Sequence, residues 1–319
     1  MKRIARWISA LLGLLILAVL ILIAFNWKSD IPLSGLKAKY ANQHSRFLNI
    51  DGMPVHYRDE GNRQDTLPPI VLIHGTGASL HTWDGWVEAL QDQHRIIRLD
   101  LPAYGLTGPN DSGDYSLDFY AGFLLKFLDS LDVDQVIIGG NSLGGGVAWM
   151  TALRAPERVS GLILVDASGY PVTSQSRPLA FRVATWPLVS QLFRYVTPRS
   201  VIEQSVRNVY ADKSLVSEAL IDRYHDLARR PGNRQAFLDR VKGESSRSEA
   251  WRKITSLEQP ALILWGAQDE LIPVSAARRF HQDLPNDTLV ILDGLGHVPM
   301  EEGPLRTVAA VKDFLEKWY

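Results

Sequence analysis

Asp134-Gln135-Val136-Ile137-Ile138-Gly139-Gly140-Asn141-Ser142-Leu143-Gly144-Gly145-Gly146 is the stretch on which the fold turns. It opens as a short, apolar, β-branched run, the pattern of a buried strand. Residues 144–152 have the composition of a helix packed closely on a neighbour. Between the two stands a serine with glycine two residues before it and two after. A chain that passes so sharply from strand to helix strains its central residue, and only very small neighbours leave room for that. The turn lifts the Ser142 hydroxyl out of the sheet. It also aims it at a helix N-terminus, whose first N–H groups lack intrahelical partners.

A serine hydroxyl is a weak nucleophile near pH 7 and needs a base to take its proton. Histidine is the side chain whose pKa suits that task. Of eight histidines, His297 lies in Gly294-Leu295-Gly296-His297-Val298-Pro299, directly after the last expected strand. That places it at the same sheet edge as Ser142. The imidazole in turn needs a carboxylate to fix its tautomer. Asp269, just past the strand that ends at Trp265-Gly266, is the expected partner. Asp166, at the end of the strand after the nucleophile helix, is the alternative, and Glu270 a lesser one. An oxyanion needs N–H donors. Leu143 supplies one, and Thr76 in the loop His74-Gly75-Thr76-Gly77 supplies the other. His74 itself reads as a brace for that loop.

Working outward, residues 70–73, 95–99, 161–166, 261–266 and 288–292 are further apolar strands. Residues 47–58 read as a hairpin with an Asp51-Gly52 turn. Helices are expected over 83–90, 117–131 (with Ser116 as N-cap) and 304–318. Strands alternating with helices imply an α/β fold with a mostly parallel sheet covered on both faces. Residues 171–253 break this rhythm. They offer helical stretches, such as 179–196 and 214–229, broken by Pro187 and Pro198, and no clear strand. They carry 15 Lys and Arg against 8 Asp and Glu, a net +7 in a chain of net −1. This segment reads as a helical cap inserted into a core of residues 46–170 and 254–319, over the strand ends where open α/β sheets bind ligands.

The near-neutral overall charge gives no sign of a nucleic-acid partner, and no obligate protein partner is evident. The absence of cysteine excludes disulfides and thiol chemistry. The N-terminus carries the second strong signal. Residues 7–27 hold no charge, and 21 residues at about 1.5 Å each span roughly the 30 Å of a bilayer core. Trp7 and Trp27 bracket the span as interfacial anchors do, and Lys2, Arg3 and Arg6 precede it. No small-x-small site follows, so the span reads as an uncleaved transmembrane anchor (residues 1–27) rather than a signal peptide. The charge excess favours a cytoplasmic N-terminus. In a bacterium the remaining chain would then be periplasmic. Residues 28–45 read as a linker.

These elements together make the chain resemble the α/β-hydrolase fold superfamily over residues 45–319. The matching elements are His74-Gly75-Thr76-Gly77, Asp100-Leu101-Pro102, Gly140-Asn141-Ser142-Leu143-Gly144-Gly145, Trp265-Gly266-Ala267-Gln268-Asp269 and Gly296-His297. The order Ser142, Asp269, His297 is that of the superfamily. Ala103-Tyr104 departs from it, since many members have Gly and then His or Phe there. Within the superfamily the chain is most similar to membrane-anchored lipases and esterases of the monoacylglycerol-lipase-like type. The resemblance implies a serine esterase acting on lipid or other amphiphilic esters through an acyl-enzyme, with no metal or organic cofactor. Serine at the elbow separates it from haloalkane dehalogenases and epoxide hydrolases, which use aspartate. Carbon–carbon bond hydrolases of the meta-cleavage type share the Gly-Asn-Ser elbow. They commonly carry Trp after the histidine and Gly-Pro-Gly after the first motif, where this chain has Val298 and Ala78-Ser79. An acyltransferase using the same triad, or a non-catalytic tethered module, are the further alternatives.

Overall fold

The computed structural model describes residues 26–186, 190, 192, 195–243 and 249–319, with scattered residues before 26. The central sheet has eight strands in the order β1-β2-β4-β3-β5-β6-β7-β8. They are β1 (Ser45–Ile50), β2 (Met53–Gly61), β3 (Ile70–Ile73), β4 (Arg95–Leu99), β5 (Val136–Asn141), β6 (Val159–Val165), β7 (Ala261–Gly266) and β8 (Asp287–Leu292). β1 pairs antiparallel with β2, and β2 with β4; every other pairing is parallel. Asp51 and Gly52 both have positive φ, as a two-residue hairpin turn demands.

The inner parallel strands β3, β5, β6 and β7 are buried on both faces, which explains their apolar runs, while the edge strand β8 is half-buried. In β3, Val71 and Ile73 belong to one core and Ile70 and Leu72 to the other. The first core packs α3 (Leu117–Asp129), α4 (Leu143–Arg154) and α9 (Val274–Asp283) on the sheet. The second packs α2 (Asp84–Leu90) and α11 (Pro304–Trp318) through Trp86, Val87, Val311 and Phe314. α3 starts where expected, because Ser116 Oγ accepts the N–H of Phe119 at 3.1 Å.

Two expectations are corrected. Residues 28–45 are not a loose linker. They contain α1 (Leu33–Tyr40), which buries Leu36 and is tied to the insertion by Lys39 Nζ and Tyr40 Oη, both donating to Asp226 Oδ2. Residues 29–31 continue the strap, with Ile31 N–H donating to Arg229 C=O and Arg234 Nη2 paired to Asp30 at 2.6 Å. The insertion also has more helices than its sequence suggests. They are α5 (Leu179–Ala184), α6 (Arg199–Val209), α7 (Glu218–Ala228) and α8 (Asn233–Gly243). Within 179–196 the chain is helical over 179–184 and again at Ser190 and Leu192, and residues 187–189, 191, 193 and 194 lie outside the described set. Pro198 is not a break but the N-cap of α6. Ser217 caps α7, so that helix begins later than 214. The expected anchor over 7–27 lies largely outside the described residues; among those described, no helix is long and apolar enough to cross a membrane.

Candidate active site

All the expected site residues lie past the C-terminal ends of parallel strands: Thr76 after β3, Ser142 after β5, Asp166 after β6, Asp269 after β7 and His297 after β8. Ser142 has φ 54° and ψ −115°. Its neighbours show why they must be glycine. A Cβ on Gly140 would lie 2.2 Å from the Gly144 carbonyl, and one on Gly144 would lie 2.1 Å from the Ile73 oxygen. No side chain fits at either contact, so α4 can begin where it does only with hydrogen in both places. The loop after β3 passes just as close. A Cβ on Gly75 would meet Ser142 Cβ at 3.2 Å, and Gly75, Thr76 and Gly77 line the same cavity as Ser142.

His297 Nδ1 lies 2.7 Å from Asp269 Oδ2, and both residues are buried. Asp269 Oδ1 accepts the N–H groups of Leu271 and Ile272, so the carboxylate is fixed at both oxygens. With a carboxylate at Nδ1, that nitrogen carries the proton and Nε2 is left as the basic site. Ser142 and His297 line the same cavity. The sequence alternative for the acid, Asp166, is adjacent but differently employed. Its Oδ1 accepts the N–H of Gly266 at 3.0 Å. Burial, and then the neighbouring Asp269 carboxylate, hold Asp166 well above the usual carboxylate range, so it stays protonated. Asp166, Asp269 and His297 offer donor atoms within 4.8 Å of one another. His297 Nδ1 is engaged by Asp269, however, and Asp166 is neutral, which does not suit a cation. His74 is the expected brace. Its Nδ1 donates to Gly75 C=O, its Nε2 accepts from Leu101 N–H, and burial lowers its pKa, so it is neutral.

The structure adds three positioning groups that sequence reasoning did not assign. Asn141 Nδ2 donates to His297 C=O at 2.9 Å. Val209 C=O, at the end of α6, accepts the His297 N–H at 2.9 Å. Glu302 accepts from Gly296 N–H with one oxygen and from the N–H groups of Ala211 and Asp212 with the other. Asn141 stood inside the elbow motif and could have been marked there. The other two join segments about 90 residues apart, and no local pattern announces them.

Above Ser142 the strand ends and the insertion line a cavity of about 120 Å³ that opens to solvent. Its walls are apolar, with Phe181, Ile202, Val206, Leu227, Phe237 and Leu271 among them. Arg234 also borders it, but its guanidinium is engaged by Asp30 and the Lys28 carbonyl. Such an arrangement can bind an extended apolar group and present one polar, reactive centre to the serine.

Comparison with known proteins agrees with this geometry. An uncharacterized hydrolase of Bacillus subtilis is 28% identical over 274 residues, 85% of this chain and 97% of the relative. The 2-hydroxy-6-oxo-2,4-heptadienoate hydrolase of Pseudomonas putida is 27% identical over 279 residues, 85% of this chain and 95% of its own length. Among solved structures, a bacterial membrane phospholipase A superposes with a TM-score of 0.72 at 24% identity, covering 99% of both chains, a likeness of fold. The family described as alpha/beta hydrolase fold matches residues 68–304. The chain therefore belongs to the α/β-hydrolase fold family and is a hydrolase of that type.

Proposed function

We propose that this protein hydrolyses carboxylic esters with an apolar acyl group, lipid or otherwise amphiphilic. The observation that carries the reading is the apolar cavity directly over Ser142 and the His297–Asp269 pair. Ser142 Oγ attacks the ester carbonyl while His297 Nε2 takes its proton. The N–H groups of Leu143 and Thr76 hold the oxyanion, which forms inside a site already organised to receive it. As the intermediate collapses, His297 returns the proton to the departing alcohol. A water then attacks the acyl-enzyme by the same route, and Ser142 is regenerated. Asp269 keeps the imidazole in the working tautomer and stabilises its charged form. The uncharged span 7–27, preceded by Lys2, Arg3 and Arg6, supports a single anchor with the hydrolase outside the cytoplasm if the source is bacterial.

The relative from Pseudomonas putida favours a second reading, cleavage of a carbon–carbon bond in a dienone carboxylate. Such a substrate brings a carboxylate into the pocket. Arg234, a cation on the wall, is already paired with Asp30. Turnover of p-nitrophenyl esters of graded chain length should be compared with that of a 2-hydroxy-6-oxo-dienoate. The ester reading expects the best ester to exceed the dienoate in kcat/KM by at least about tenfold, or about 1.4 kcal/mol. The reverse order would install the second reading.

A further inference from the structure

We propose that the exposed apolar ridge of the insertion, formed by Trp186, Leu192 and Tyr195 with Trp27, docks on an anionic phospholipid surface. Large apolar side chains are rarely left in water over a contiguous area unless something covers them. Here Trp27 is 52% exposed, Trp186 54%, Leu192 42% and Tyr195 41%. Trp27 stacks on Tyr195 with ring centres 5.0 Å apart, and Lys28 N–H donates to Tyr195 C=O. Leu192 C=O accepts the N–H of Tyr195, and Trp186 lies six residues earlier on the same stretch.

Two observations select a lipid surface as the occupant. The first is where the chain comes from. Trp27 is the last residue of the uncharged N-terminal span, so the ridge stands at the point where that span meets the folded body. Tryptophan and tyrosine are also the side chains that settle at a membrane interface. The second is charge. Residues 171–253 carry a net +7, and Arg177 and Arg182, which precede Trp186 in the chain, are exposed. Each basic residue held near an anionic leaflet contributes about 1 kcal/mol. The proposal also gives α5 a role, resting on the ester reading above. Ala180 and Phe181 of that helix line the cavity, and the helix runs directly into Trp186.

The chain has no cysteine, so a single label can be placed at will. Full-length Trp186→Cys, Leu192→Cys, Leu305→Cys and Gly13→Cys variants, carrying an environment-sensitive fluorophore, are mixed with vesicles of phosphatidylcholine and phosphatidylglycerol. Some of the lipid bears a doxyl quencher at headgroup or mid-chain depth. A cooperative thermal unfolding transition matching the parent's checks that each variant is folded. Headgroup-depth quenching at 186 and 192 is expected to be several times that at 305, which is exposed on α11. It should weaken when phosphatidylglycerol is omitted. Quenching at 186 and 192 no greater than at 305 overturns the proposal. So does a label response that needs no lipid and grows with protein concentration, since that would mean a second copy covers the ridge. The label at 13 reports the anchor separately. Quenched at 13 but not at 186, the chain is anchored and the docking face is wrong. Quenched at 186 but not at 13, the docking face stands without the anchor. Neither readout depends on the chemistry assigned to Ser142.

Discussion

At the residue scale, the site is set by which carboxyl keeps its proton. Asp269 and Asp166 both stand at strand ends beside His297, and the sequence offered both. Their surroundings separate them. Asp269 receives two backbone N–H groups and the imidazole, whereas Asp166 has one backbone donor and a carboxylate for a neighbour. A carboxyl that is protonated when folded and ionised when unfolded gives stability that is complete below the ordinary pKa of 3.8. That stability is lost as the pH rises. Asp166→Asn keeps the shape and removes the loss, so its thermal midpoint should gain on the parent as the pH rises above the ordinary carboxylate pKa. Its ester turnover should stay within about tenfold of the parent, while Asp269→Asn should lower kcat by about 10⁴-fold. Equal losses in the two variants would mean that the acid has been misassigned. The turn at Ser142 and the pairing of His297 with Asp269 were legible from sequence because each is a short motif tied to a strand end. The protonation state of Asp166 was not, since it depends on a neighbour about a hundred positions away.

At the element scale, the insertion is fastened at two places. The strap of residues 28–40 holds it through Asp30, Lys39 and Tyr40. The loop bearing His297 holds it through Val209 and through Glu302, which bridges Gly296 to Ala211 and Asp212. His297 is therefore positioned partly by the insertion. Burial raises the Glu302 pKa, and the three backbone donors oppose that rise. Glu302→Gln offers one acceptor oxygen where the carboxylate has two, and turns an NH₂ toward a remaining N–H group. It should cost about 1–3 kcal/mol of stability, measured by denaturant unfolding. It should also lower kcat with little change in KM, because the apolar walls remain in place. An unchanged kcat would separate the insertion from the chemistry. This was the least legible part of the sequence. Among its described residues the insertion has no strand to set a register, and its helices are placed by long-range contacts and by caps such as Pro198 and Ser217. The linker reading failed for a related reason. α1 has little amphipathic pattern of its own and owes its place to Asp226 and to one buried residue, Leu36.

At the scale of the molecule, one sheet does two jobs. Its faces are closed by two apolar cores, and its C-terminal edge gathers Thr76, Ser142, Asp269 and His297 beneath the insertion. The parallel order was legible because strands buried on both faces have a continuous apolar signature. The reach of the strap over the insertion was not, because it joins parts of the chain about 200 residues apart. The central claim is that this assembled edge makes Ser142 the nucleophile of an acyl-transfer site. The most direct measurement treats the folded full-length chain with a fluorophosphonate and locates the adduct by peptide mass spectrometry. The account predicts one adduct per chain, on Ser142, suppressed by an excess of a long-chain ester. No adduct in a sample that unfolds cooperatively, or an adduct on another residue, would contradict it.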